Sequence, residues 1–144
     1  MEEKHPNLIV ARKDYTPFPI NAIGLFKPKD LYLLAGIYLS SEYYSDASYL
    51  YTNITVNQLS ALTGVSEDYI SNNFYPRLKR SGFIRYRCIQ EQLLVRRNHF
   101  YLPNPTHNFR FIRKELFFDR TISPEEKGVM IGLYCICING TFRY

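Results

Sequence analysis

The sequence predicts an α+β fold, mainly helical with a small antiparallel sheet. Three observations carry that expectation. Apolar residues recur at helical spacing through the first half, two helix starts are marked by capping residues, and the period switches to strand-like alternation after Gly82. With 46% apolar and 22% charged residues, the 144-residue chain has the make-up of a soluble globular protein with a core of its own.

Residues 1–19 read as an N-terminal arm, in which Asn7 to Ala11 is strand-like and Pro17 to Pro19 break the chain. From Lys29 to about Tyr43 the positions Leu33, Leu34, Ile37 and Tyr38 fall on one helical stripe, with Pro28 suited to the first turn. Ser45 to Ser48 is loop material and Tyr49 to Ile54 a short strand. Thr55-Val56-Asn57-Gln58 fits a capping box, opening a second helix that stops at Gly64. Val65-Ser66 makes the turn, and Ser66 caps a third helix with Glu67 and Asp68 in its first turn, where the macrodipole favours acids.

The inner stripe of that third helix is Ile70, Phe74 and Leu78, and Gly82 ends it. Pro76 removes an amide that Asn72 would accept from, so a kink is expected there. Ile84, Tyr86 and Cys88 then alternate with Arg85 and Arg87, a second strand covers Leu93 to Leu102, and Ile89 to Gln92 form the tip between them.

Ile122 to Tyr134 lines up with Phe26 to Tyr38 at an offset of 96, with Pro, Gly and Tyr coinciding. This divides the chain into a complete unit at 20–103 and the opening of a second, strand plus helix, at 104–144. A lone helix bearing Val129, Met130, Leu133 and Cys137 must pack on the first unit or on another copy, so a homodimer through residues 122–138 is expected.

Residues 50–102 carry seven basic and three acidic side chains and so hold most of the net charge of +5, the footprint of a polyanion partner. The 13 Tyr and 10 Phe fit either a core built with tyrosines or a half-exposed aromatic surface. Cys88, Cys135 and Cys137 are an odd number with no secretory leader, which points to reduced thiols in a cytoplasm. The apolar run from Gly128 to Ile138 is too short to cross a bilayer, and no membrane partner is expected. Sequons at Asn53 and Asn139 are then chance matches. His5, His99 and His107 stand apart from Cys or acidic partners, so neither metal nor cofactor is expected. Without a phosphate loop, a nucleophile elbow or paired carboxylates, the chain reads as a non-enzyme.

The run Leu59-Ser60-Ala61-Leu62-Thr63-Gly64-Val65-Ser66, then Tyr69-Ile70, then Leu78-Lys79-Arg80-Ser81-Gly82-Phe83-Ile84 resembles the winged helix-turn-helix of bacterial transcription regulators and replication initiators. The likeness covers about fifty residues, and the repeat makes the arrangement similar to the tandem winged-helix initiators of plasmids and mobile elements. It implies a small residue on the second helix for close crossing, a Gly turn, and a Gly-aromatic-Ile step opening the wing. The implied role is double-stranded DNA binding in replication initiation or transcription control.

An α-helix fits the major groove, so the outward face of the third helix holds the candidate readers Ser71, Asn72 and Tyr75. Arg77, Lys79 and Arg80 follow as phosphate contacts, and the wing supplies Arg85, Arg87, Arg96, Arg97 and His99. Each basic cluster also has the plainer reading of a solvated face, and Glu67 and Asp68 would be repelled by phosphate. The rival function is a protein-interaction module that uses the same fold for assembly and does not touch DNA.

Overall fold

The computed structural model describes residues 13–43, 49–92, 95–103 and 108–137, with side chains described throughout except at Tyr43 and 85–98. The strand-like stretch at Asn7 to Ala11 and the loop at Ser45 to Ser48 lie outside the described residues. The fold is mainly α with small antiparallel sheets. Its elements are β1 (Tyr15–Pro19), a 3-10 turn (Ile20–Ala22), α1 (Pro28–Leu39), β2 (Glu42–Tyr43), β3 (Tyr49–Thr52), α2 (Val56–Thr63), α3 (67–81), β4 (Arg85–Gln92), β5 (Val95–Pro103), β6 (Phe109–Arg113), α4 (Glu115–Phe118) and α5 (Pro124–Ile136).

At the centre lies α1, whose residues Asp30 to Leu39 are all buried; a helix buried all round has neighbours on every side. Pro28 begins it, and it stops at Leu39 rather than near Tyr43 because its last carbonyls are taken by other donors. The Ser40 hydroxyl donates to Ile37 O at 2.9 Å, the Ser41 hydroxyl to Tyr38 O at 2.7 Å, and the Lys13 ammonium to the carbonyls of Tyr38 and Ser41. Glu42 and Tyr43 are thereby released to pair as β2 with β3.

The capping box at Thr55 is formed in both directions, and α2 ends at Gly64 with φ 79°, a left-handed conformation that glycine adopts without a steric cost. The close crossing of α1 and α2 comes from Gly36 on α1, where an added Cβ would meet Leu59 Cδ1 and Thr63 Cγ2 at 3.1 Å. On α2 itself Ala61 is exposed, so the small residue expected there is not what brings the helices together.

Beside them a four-stranded antiparallel sheet runs in the order β2-β3-β5-β4. Pairing of β4 with β5 continues from Arg85↔Tyr101 to Gln92↔Val95, with a bulge between Gln90 and Gln92. Ile89 to Gln92, expected as the tip, therefore belong to the strand. Phe100 and Leu102 turn from the sheet into the core that also holds Phe74 and Leu78.

A second, two-stranded sheet pairs β1 with β6, with Thr16 opposite Ile112. Residues 15–19, read from sequence as the end of an arm, thus form a strand of the body, and Phe18 is fully buried. Thr16 and Ile112 are 96 apart, the offset of the sequence repeat. So are Pro28 and Pro124, each at the start of its helix, and Lys29 and Glu125, which meet in an ion pair of 3.0 Å. Antiparallel pairing of equivalent strands, with a contact between equivalent helix residues, is what a local two-fold axis generates.

The two helices of the repeat are in backbone contact. A Cβ on Gly128 would collide with the Pro28 carbonyl and lie 2.7 Å from Pro28 Cα. Beside this contact Lys127, 3% exposed, donates to the Tyr32 hydroxyl at 3.2 Å, and Tyr32 stacks on Phe117 of α4. The segment after residue 103 therefore packs on the first unit and shares one core with it. No helix among the described residues is long and apolar enough to cross a membrane.

Candidate nucleic-acid interface

The polar face of α3 is built by its inward stripe. Ile70, Phe74 and Leu78 are fully buried, as their spacing predicts, and Ser71, Asn72 and Asn73 stand exposed between the first two. The Ser66 hydroxyl accepts from Tyr69 N at 3.1 Å, fixing the start of the helix, and Gly82 ends it with φ 66°.

Within α3 the middle turn, Ile70–Phe74, is π-helical. Pro76 has no N–H for the Asn72 carbonyl, so regular pairing fails at that step, and Tyr75 N–H instead reaches back five residues to Ile70 O. The interruption expected at Pro76 thus takes the form of a widened turn, with an α-helical stretch, Tyr75–Ser81, resuming beyond it.

The widened turn redistributes the candidate readers. Ser71 is exposed; Asn72 is exposed too, but its amide donates to Asp68 Oδ1 at 2.7 Å. Glu67 is held in the same way by the Asn57 amide at 2.9 Å. Tyr75 is not at the surface: it is 7% exposed and its ring packs against Phe74 and Phe100. Reaching back five residues puts an extra residue into the turn and rotates the following side chain toward the core. Asn73, passed over in the sequence, completes the exposed polar triplet.

Of the three cations beyond, Lys79 and Arg80 are exposed at the end of α3. Arg77 points the other way. Its guanidinium donates to Asp30 Oδ2 at 3.0 Å and lies 3.3 Å from the Tyr69 hydroxyl, which itself donates to Asp30 Oδ1 at 2.8 Å. Asp30 is fully buried, and a buried carboxylate demands such partners. Burial, followed by the bond to Asp30, holds the Tyr69 phenol above its ordinary pKa. Lys29 covers the Tyr69 ring at 4.3 Å. Arg77 thus ties α3 to α1. Only the acid at position 30 hinted at this cluster, and in sequence it reads as ordinary first-turn compensation of the helix dipole.

The four arginines expected on the wing lie on the β4–β5 hairpin. In its backbone register Arg85 is opposite Tyr101, Arg87 opposite His99, Arg96 opposite Gln90 and Arg97 opposite Ile89. Their side chains are outside the described residues. His99 lies in the sheet, where the Tyr51 hydroxyl meets its Nδ1 at 2.7 Å and Tyr51 also packs on Tyr101. The described part of the candidate surface is therefore Ser71, Asn72 and Asn73 with Lys79 and Arg80. No family model, curated protein or solved structure matches the chain.

Proposed function

We propose that the protein binds double-stranded DNA, with the polar face of α3 in the major groove and the β4–β5 hairpin along the neighbouring backbone. A winged helix-turn-helix is the fold this reading implies. The observation that carries it is the exposure of Ser71, Asn72 and Asn73 on a helix that ends in exposed Lys79 and Arg80. Amide side chains offer a paired donor and acceptor to adenine, while cations at the helix end suit phosphate. The setting would be replication initiation or transcription control of a bacterial or mobile element, in a cytoplasm, with the chain acting as a dimer through residues 122–138.

A second reading, a protein-interaction module, is favoured by one observation: of the expected DNA contacts, Tyr75 is packed in the core and the half-buried Arg77 is engaged by Asp30. Fluorescence anisotropy on mixed duplexes separates the two. DNA binding predicts that Lys79→Ala with Arg80→Ala weakens all duplexes alike and makes the slope of log K against log salt shallower by about 2, roughly one unit for each phosphate no longer neutralised. Asn72→Ala should alter preference among duplexes by about 1–3 kcal/mol. Absence of binding in low salt would leave the interaction module standing.

A further inference from the structure

We infer that the outer face of α5 is covered by a second copy of this chain, the two α5 helices packing antiparallel about a two-fold axis. This gives the geometry of the self-association named above and depends on it, but not on DNA. Val129, Met130, Leu133 and Ile136 form one stripe of α5 and are 48, 43, 39 and 50% exposed. At the offset of 96, the first three correspond to Leu33, Leu34 and Ile37 of α1, all fully buried. The duplicated unit thus covers this face in its first occurrence and leaves it bare in its second.

The stripe continues into a largely apolar groove of about 570 Å³ whose lining includes Tyr15, Phe111 and Met130 beside the charged Arg113, Glu115 and Asp119. Tyr15 and Phe111 are 48 and 53% exposed and pack edge to face on its wall. Six large side chains at about half exposure present on the order of 500 Å² of apolar surface, taking about 200 Å² for each. A standard interface buries about 800 Å² per partner, a little over half of it apolar, so the patch has the size that a stable dimer needs.

Charge selects the orientation. The first turn of α5 carries exposed Glu125, which is paired with Lys29, and exposed Glu126. Parallel helices would set the two acidic turns side by side. The antiparallel arrangement separates them and opposes the helix dipoles. It centres the contact between Gly132 and Leu133, so that position 129 of one copy meets position 136 of the other.

Sedimentation from low to high micromolar protein tests the inference. The expected mass is twice the 17.0 kDa of one chain, falling to a single chain in Leu133→Glu, which alters a side chain 39% exposed and should leave the circular dichroism spectrum unchanged. In a Cys88→Ser background, Val129→Cys and Ile136→Cys should cross-link with each other in a mixture, and neither with itself. A wild-type chain monomeric throughout, or position 129 cross-linking to itself, overturns the inference. Duplex binding by Leu133→Glu reports separately on the DNA reading: if that reading fails, neither form binds DNA although the wild-type mass still doubles.

Discussion

At the scale of single residues, the fate of a charged side chain was decided by what lay across the core from it. Arg77, Lys79 and Arg80 read alike in sequence, as one basic cluster on a helix end. The buried Asp30 carboxylate, 47 residues away, claims the first and leaves the other two in solvent. Arg77→Ala should cost about 3 kcal/mol, because Asp30 then stays buried with the Tyr69 hydroxyl as its side-chain partner among the described residues. Urea unfolding measures it, and pairing the substitution with Asp30→Asn should recover part of the loss. Neither change should flatten the salt dependence of duplex binding, as Lys79→Ala should. Tyr75 escaped the sequence reading for a related reason: its inward position follows from the π turn at Ile70–Phe74, and local periodicity assumes a regular helix.

Helix starts were legible because they are local chemistry. Thr55 and Ser66 cap as their spacing predicts, and the same pattern, unread at Ser123 and Glu126, opens α5. The end of α1 was not legible, since Lys13, 25 residues from Tyr38, helps to close it. That closure predicts a pH dependence. Burial pushes the Lys13 ammonium down to about 8, against the pull of the Glu42 carboxylate. Between about pH 8 and the ordinary lysine value near 10.4, the folded chain has released this proton and the unfolded chain still holds it, so this group's contribution to stability rises with pH. Burial also holds the Tyr32 and Tyr38 phenols above their ordinary value, which opposes the rise only where unfolded tyrosines ionise, near pH 10. Urea midpoints at pH 8 and about 9.5 should therefore separate further for the native chain than for Lys13→Met.

For the molecule as a whole, the repeat at an offset of 96 was readable and its spatial meaning was not. Pro, Gly and Tyr coincide in the two segments, but that Thr16 pairs with Ile112 is a fact about two distant strands, and Tyr15–Pro19 taken alone looks like an arm broken by prolines. The two halves meet most closely at Gly128, where any side chain collides with the Pro28 backbone. Gly128→Ala should therefore lower the thermal midpoint, with a destabilisation of about 1–3 kcal/mol or more from the backbone clash, whereas Gly82→Ala, in open space at φ 66°, should cost only the ~1 kcal/mol of left-handed strain; parallel melts compare the two. The pairing of β1 with β6 also bears on how the chain folds as it is made. When the ribosome has completed the four-stranded sheet, β1 still has no partner, and the side of α1 that will meet α5 is open to water. The emerging polypeptide must hold that unsatisfied surface until residues 109–136 follow, which makes this interval the one in which a chaperone has most to protect.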